Sequence, residues 1–141
     1  MVDVSEKPVT RRVAAASCLV RLAPETVALL SALPKGDALA VARVAGIQAA
    51  KRTGEWVSLA HPLPLDRVEV EFASEAEGLR IRTRVVATAR TGAEMEAMVG
   101  CAAAALALYD MVKAVERGAT VTDLRLDSKS GGARGDWSRG E

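Results

Sequence analysis

Residues 68–85, Val-Glu-Val-Glu-Phe-Ala-Ser-Glu-Ala-Glu-Gly-Leu-Arg-Ile-Arg-Thr-Arg-Val, decide the fold of this chain. Apolar residues alternate with glutamates in the first part of the stretch and with arginines in the second part. An alternation of period two is typical of a half-buried β-strand, and the segment 74–78, which ends in glycine, is typical of a turn. The sequence therefore predicts a β-hairpin with one apolar face and with glutamates opposite arginines on the other face.

Further helices and strands are predicted on both sides of this hairpin. Asp37 is a suitable N-cap for one helix, and Gly54 and Gly118 are typical helix stops. The predicted elements are a strand at 12–22, a short helix at 24–33, a helix at 38–53, a long helix at 94–117 and a last strand at 121–126. The order β-α-α-β-β-α-β predicts an α+β fold, a ferredoxin-like antiparallel sheet with helices packed on one face and one helix added.

Composition and charge limit the possible functions. The chain has 141 residues, a net charge of +1 and 3% aromatic residues. We expect a single domain over residues 1–141, with an extended arm at 1–10 and a flexible tail at 129–141. The near-neutral charge argues against a nucleic-acid-binding protein. The longest apolar stretch, 97–109, is short for a membrane span, so no membrane partner is expected.

The cysteines indicate the cellular compartment. Cys18 and Cys101 lie in apolar surroundings and lack the spacing of a zinc site. We expect buried, reduced thiols, which are typical of cytoplasmic proteins. The residues after Met1 do not form an apolar secretory segment. The sequence therefore predicts a cytoplasmic protein with no metal site.

Charged residues occur at both ends of the long predicted helix. Asp110 and Lys113 are three residues apart and can touch, either as a partly buried salt bridge or as an acid–base pair. Glu94 and Glu96 lie at the other end, where the helix dipole favours carboxylates. Glu96 precedes Asp110 by 14 residues, which is about 21 Å along a helix axis. One small ligand cannot easily reach both ends, so two chains would be needed to complete a common site.

His61 is the only histidine, and it lies in a segment stiffened by Pro62 and Pro64. A stiff loop holds a side chain at a low entropy cost. His61 is therefore either a ligand-contacting residue or an ordinary loop residue.

Several cations are candidates for phosphate binding. Lys35 lies at the start of a predicted helix, where backbone amides suit an anion, but it could also be a solvated turn lysine. The segment 129–132, Lys-Ser-Gly-Gly, is either a backbone nest for phosphate or a flexible tail. Arg11 and Arg12, beside the first strand, could add contacts. Together with Lys113, these residues would make a polyanion pocket in a near-neutral protein.

Seven segments of this chain occur in the order found in a known enzyme family. They are Val-Asp-Val-Ser-x-Lys at 2–7, Lys-Gly-Asp at 35–37, Ala-Arg-Val-Ala-Gly-Ile-Gln-Ala-Ala-Lys-Arg-Thr at 42–53, His-Pro-Leu-Pro-Leu at 61–65, Arg-Thr-Gly-x-Glu-Met-Glu-Ala at 90–97, Tyr-Asp-Met-x-Lys-Ala at 109–114 and Lys-Ser-Gly-Gly at 129–132. Over nearly its whole length the chain resembles the cyclic pyranopterin monophosphate synthases of molybdenum cofactor biosynthesis.

The resemblance implies a reaction and an assembly. The family converts 3′,8-cyclo-7,8-dihydroguanosine 5′-triphosphate, a cyclised GTP derivative, into cyclic pyranopterin monophosphate and releases pyrophosphate. This is a lyase reaction that uses no redox cofactor. The resemblance also implies a homohexamer, a trimer of dimers, with sites between subunits.

The resemblance further implies roles for individual residues. It implies catalytic residues at Asp110, Lys113, Lys35 and Lys129. It implies substrate contacts at Leu59, Ala60, His61, Met95, Glu96, Lys51 and Arg12, with Arg11 as a close alternative to Arg12. Glu94 is a further substrate-binding candidate.

The chain departs from the family pattern at three places. Ala60 and Val112 stand where the family has cysteine, and neither position supplies an acid, a base or a phosphate ligand. In the tail, Ala133 and Arg134 replace Lys-Ser, which displaces a positive charge by one residue. A second hypothesis is a non-catalytic oligomeric protein that binds phosphorylated pterins or nucleotides. Turnover of the cyclised GTP derivative distinguishes the two.

Overall fold

The structure, a computed structural model, describes residues 1–140. Within these residues an α+β chain is formed from four helices and five strands. The strands are β1 (Thr10–Arg21), β2 (Leu65–Glu75), β3 (Gly78–Ala89), β4 (Thr120–Ser130) and β5 (Trp137–Ser138); the helices are α1 (Pro24–Val27), α2 (Ala38–Ala50), α3 (Thr53–Trp56) and α4 (Glu94–Val112).

The strands form one sheet in the order β2-β3-β1-β4-β5, and every neighbouring pair is antiparallel. The hairpin predicted from the alternating stretch is confirmed. Glu75 pairs with Gly78 around a two-residue turn, and Glu69 and Glu71 lie opposite Arg84 and Arg82. The α+β class and the antiparallel sheet are therefore confirmed, while the ferredoxin-like assignment remains a prediction.

The core lies between the sheet and helices α2 and α4, which pack against each other. Small residues allow a close approach of these helices: a Cβ atom added at Gly46 of α2 would lie 2.9 Å from the carbonyl oxygen of Gly100 in α4. The alanine-rich sequence of α4 therefore serves packing. By length and composition α4 could also cross a membrane, but 61% of that stretch lies buried inside the fold.

The start of α2 follows the sequence prediction closely. The carboxylate of Asp37 accepts hydrogen bonds from the amides of Leu39 (3.0 Å) and Ala40 (3.1 Å), as expected of an N-cap. Because the Asp37 side chain occupies these amides, the predicted anion site at this helix start is wrong in that respect. The ammonium group of Lys35 is itself bonded to Asp110 of α4.

Three predicted helix ends differ from the structure. The first helix ends at Val27 rather than residue 33, because the chain then turns and the amide of Ala38 bonds back to Leu30. Helix α2 ends at Ala50, and Gly54 lies inside the separate short helix α3 rather than after the helix. Helix α4 ends at Val112 instead of Arg117, since Glu116 turns to accept hydrogen bonds from the amide of Ala23.

The two terminal segments of the described chain differ in structure. Residues 1–9 contain neither helix nor strand, a turn joins Lys7 to Val4, and Thr10 already belongs to β1, so the extended arm at 1–10 remains a prediction. The predicted tail at 129–141 differs from the structure at its start, because Lys129 and Ser130 are the last residues of β4 and pair with β1 and β5. A turn at Gly131 and Gly132, both with φ of 88°, then allows Trp137 and Ser138 to return and form β5. Glu141 lies outside the described residues.

Cys18 and Cys101 are free and fully buried, as predicted. Cys18 lies in β1 and Cys101 in α4, with their Sγ atoms 3.2 Å apart. They are part of the packing between the sheet and the central helix.

Candidate active site

Helix α4 carries candidate residues at both of its ends. At the C-terminal end, Asp110 and Lys113 meet Lys35, which comes from the turn before α2. We call these three residues the lysine–aspartate cluster. Residues near the N-terminal end of α4 instead line a large cavity. The two groups of candidates are therefore separate within one chain.

In the lysine–aspartate cluster, each carboxylate oxygen of Asp110 meets one ammonium group. Oδ1 lies 2.8 Å from Nζ of Lys113, and Oδ2 lies 2.7 Å from Nζ of Lys35. The predicted contact between Asp110 and Lys113 is confirmed, but the Asp110 side chain is 51% exposed, so the expectation of a partly buried pair is wrong for the single chain. The exposed position follows from the helix phase: Met111 and Val112 of the same turn are buried, while Asp110 and Lys113 lie on its outer side.

Hydrogen bonds set the ionisation of this cluster. The bond from Lys113, followed by that from Lys35, lowers the pKa of Asp110 to about 2. The same bond to Asp110 raises the pKa of Lys113 above its ordinary value. At neutral pH the cluster therefore holds one carboxylate and ammonium groups, an arrangement that can bind an anion and accept or donate a proton once the ion pairs are disturbed.

The cavity at the other end of α4 has a volume of about 1010 Å³. It lies between the N-terminal arm, the loop before β2, the start of α4 and the end of β4. Its wall contains all of the predicted substrate-binding residues except Lys51, together with the predicted catalytic residue Lys129. These residues are Arg12, Leu59, Ala60, His61, Glu94, Met95, Glu96 and Lys129.

Cations and carboxylates meet in this cavity. Nζ of Lys129 lies 3.5 Å from Oε1 of Glu94, and Arg12 donates from Nη2 to the carbonyl oxygen of Arg90 at 3.3 Å. Arg11 is exposed and does not line the cavity, so the structure favours Arg12 over Arg11 as the cavity residue. The Arg12 and Lys129 side chains are positioned by two neighbouring strands, β1 and β4.

Glu96 is the buried acid of the cavity. It is 3% exposed and lies in the first turn of α4. Burial is the largest cause that raises its pKa to about 7; a hydrogen bond with its own backbone opposes the rise, and the nearby carboxylate of Glu94 adds to it. A carboxyl group with a pKa near neutrality can exchange protons efficiently at physiological pH. Its burial was not predictable from the helix pattern, because it depends on the loop and strand that cover this helix end.

A smaller cavity of about 240 Å³ adjoins the first one. Lys51, at the end of α2, lines this smaller cavity rather than the larger one. Ala60, Leu63 and Glu96 line both cavities. Lys51 is therefore near the other predicted substrate-binding residues, in a neighbouring cavity that shares Glu96 with the larger one.

Sequence reasoning did not single out two cations of the large cavity. Lys7 reaches it from the N-terminal arm, and Arg134 reaches it from the segment after β4. Lys7 lies within the segment 2–7 that contributed to the family resemblance, so a signal was present. Arg134 is the arginine that follows Ala133 in the tail, one residue after the position where the family has lysine. Its side chain lines the cavity. Over residues 1–140 no group of three or more His, Cys, Asp or Glu side chains is arranged to hold a metal ion.

Comparison with known proteins gives consistent matches over almost the whole chain. The model of the MoaC family matches residues 1–132. A protein of Thermomicrobium roseum named cyclic pyranopterin monophosphate synthase is 53% identical over 143 aligned positions, covering 99% of this chain and 86% of that protein. Cyclic pyranopterin monophosphate synthase 2 of Mycobacterium tuberculosis (strain ATCC 25618 / H37Rv) is 50% identical over 141 positions, covering 99% of this chain and 84% of that protein.

Proposed function

The chain belongs to the MoaC family, and on that premise we propose that it is a cyclic pyranopterin monophosphate synthase. It converts 3′,8-cyclo-7,8-dihydroguanosine 5′-triphosphate into cyclic pyranopterin monophosphate and pyrophosphate, a lyase reaction of molybdenum cofactor biosynthesis in the cytoplasm. One observation carries the proposal: all of the residues implied as substrate contacts except Lys51, although distant in sequence, line one cavity that contains cations and a buried acid.

The cations of the cavity suit the triphosphate. The same cavity is lined by Lys7 from the N-terminal arm, Arg12 from β1, and Lys129 and Arg134 from the end of β4 and the segment after it. A triphosphate carries several negative charges, and guanidinium and ammonium groups bind its oxygens through charge-assisted hydrogen bonds. We assign these residues to holding the triphosphate and the pyrophosphate that leaves.

Glu96 and the lysine–aspartate cluster supply proton transfer. With a pKa of about 7, Glu96 is present in both protonation states at neutral pH. Asp110 remains ionised between Lys35 and Lys113 until substrate engages the lysines. A substrate oxygen that takes a hydrogen bond from either lysine would weaken the hold on Asp110 and raise its basicity. Neither step requires a redox cofactor.

One chain cannot bring both groups to one small substrate. Glu96 and Asp110 are 14 residues apart on the continuous helix α4, which is about 21 Å of axial rise. We propose that each site combines the cavity of one chain with the lysine–aspartate cluster of another, within a homohexamer built as a trimer of dimers. Exposed apolar side chains on the helices support such an assembly: Leu106 is 58% exposed and Val44 is 55% exposed.

Turnover tests the proposal. Purified protein is incubated with the cyclised GTP derivative, and cyclic pyranopterin monophosphate and pyrophosphate are measured separately by chromatography and a coupled phosphate assay. We expect both products in equal amounts, and a rate that falls by about 10²–10⁴-fold in Asp110→Asn. Binding of the substrate without either product would instead support the non-catalytic binding protein.

A further inference from the structure

Gly131 and Gly132 lie against the start of β1. The last residue pair between β1 and β4 is Val13 with Ser130, so the two glycines that follow pass beside Arg12 and Arg11. Both glycines have φ of 88°, a left-handed conformation that side chains with Cβ rarely adopt. The Gly-Gly segment therefore has a conformation and a location that other residues would disturb.

The two glycines have different neighbours. A Cβ atom at Gly131 would meet the backbone, 3.3 Å from the carbonyl carbon of Arg11 and closer still to its oxygen. A Cβ atom at Gly132 would meet the guanidinium group of Arg12, 2.9 Å from Cζ and closer still to Nη1. The guanidinium group of Arg12 therefore occupies the space that a side chain at position 132 would take.

The guanidinium group of Arg12 is held mainly by packing. Nη2 donates one hydrogen bond to the carbonyl oxygen of Arg90. Nε is buried and has no hydrogen-bond partner among residues 1–140. With so few polar contacts, contact with the Gly132 backbone is a main restraint on where this group lies in the cavity wall.

We propose that Gly132 is a positioning residue for Arg12, and that the absence of a side chain at position 132 sets the placement of the Arg12 guanidinium group that binds the phosphates. The Gly-Gly part of the Lys-Ser-Gly-Gly segment then acts through Arg12 rather than as a backbone nest. A nest is further disfavoured because the amide of Gly131 already donates to Asp136 Oδ1 at 3.1 Å. The proposal rests on the proposed function, in which Arg12 binds the substrate phosphates.

The chain offers a matched control. Gly135 lies in the same segment with φ of 72°, and nothing lies within 4 Å of a Cβ atom added there. Gly135→Ala therefore imposes the same kind of backbone strain as Gly132→Ala without a contact to Arg12. Because the added methyl group at position 132 would meet the far end of the Arg12 side chain rather than backbone, it should displace Arg12 rather than unfold the chain.

The experiment measures the dissociation constant of inorganic pyrophosphate by calorimetry for the full chain and for Gly132→Ala, Gly135→Ala, Arg12→Ala and the double variant Arg12→Ala/Gly132→Ala. We expect Gly132→Ala to weaken binding about tenfold, as for loss of a charged hydrogen bond, and Gly135→Ala to change it less than about twofold. When Arg12 is already alanine, adding Gly132→Ala should weaken pyrophosphate binding by less than about a further twofold, because Gly132 acts through the Arg12 guanidinium group.

Four results would count against the proposal. If Gly132→Ala and Gly135→Ala weaken pyrophosphate binding equally, the cause is backbone strain. If Gly132→Ala weakens binding just as much in the Arg12→Ala background, the cause is a contact other than Arg12. Full binding by Gly132→Ala would also reject it. Melting temperatures of all variants identify any loss caused by unfolding, and an unfolded Gly132→Ala counts against the proposal. Pyrophosphate binding does not require turnover. If the protein binds pyrophosphate through Arg12 and Gly132 but forms no product, only the proposed reaction is rejected.

Discussion

Replacing Glu96 with glutamine should change how the stability of the protein depends on pH. Glu96 is 3% exposed, and burial raises its pKa from the ordinary value of 4.5 to about 7. The folded protein therefore binds this proton more tightly than the unfolded chain. The free energy of unfolding is highest when the group is protonated in both states, and it falls as the pH rises from about 4.5 to about 7.

The size of the effect follows from the two pKa values. A difference of one pKa unit corresponds to 1.36 kcal/mol, so the change from 4.5 to about 7 amounts to about 3 kcal/mol. Glu96→Gln keeps the shape of the side chain and removes its ionisation. The variant should match the wild type near pH 4.5 and exceed it in free energy of unfolding by up to about 3 kcal/mol at pH 8.

Urea denaturation at a fixed protein concentration, repeated at several pH values from 4.5 to 8, measures this difference. Glu25→Gln is a suitable control, because Glu25 is also a first-turn carboxylate but is exposed. The control should follow the wild type at every pH. Parallel curves for the wild type and Glu96→Gln would refute the reasoning, since they would mean that the buried carboxyl titrates alike in the folded and unfolded chains.

Three further changes have definite expected outcomes. Lys35→Ala should reduce turnover without changing the circular dichroism spectrum, because Lys35 contacts Asp110 from an exposed turn. Turnover at the wild-type rate would show that Lys35 is not a catalytic residue. Lys129→Ala should weaken pyrophosphate binding most at low salt, where charges are least screened. Calorimetry at two salt concentrations tests this, and an equal loss of affinity at both concentrations would contradict it. Gly46→Ala should lower the free energy of unfolding by about 1–3 kcal/mol, because the added Cβ overpacks the contact with α4. Gly118→Ala, with nothing within 4 Å of the new Cβ, is its control in urea denaturation, and equal losses would reject the packing argument.

The sequence predicted those features that depend on neighbours along the chain. The hairpin followed from its period of two, the N-cap of α2 from Asp37, and the contact of Asp110 with Lys113 from their helical spacing. Each of these depends on interactions within a few residues, where backbone geometry leaves little freedom.

Features set by distant parts of the chain were less predictable. The contact of Lys35 with Asp110 joins residues 75 positions apart. Local patterns indicated Lys35 only as an anion ligand or a solvated turn lysine, and its catalytic role was implied by the family resemblance alone. The burial of Glu96 depends on the elements that cover the start of α4, and the end of α4 depends on a hydrogen bond from Ala23 to Glu116. Such contacts exist only once the chain has folded, so periodicity and capping signals do not encode them.

The most direct test asks whether the cavity of one chain works with the lysine–aspartate cluster of another. Asp110→Asn and Glu96→Gln proteins, each of low activity alone, are mixed in equal amounts, dissociated and reassembled. If each site draws one group from each of two chains, about one site in four receives both intact groups, and about a quarter of the wild-type turnover should return. Asp110→Asn mixed in the same way with Lys35→Ala should not recover, because both residues belong to one cluster of one chain. Activity that stays at the level of the separate Asp110→Asn and Glu96→Gln variants would contradict a site shared between chains.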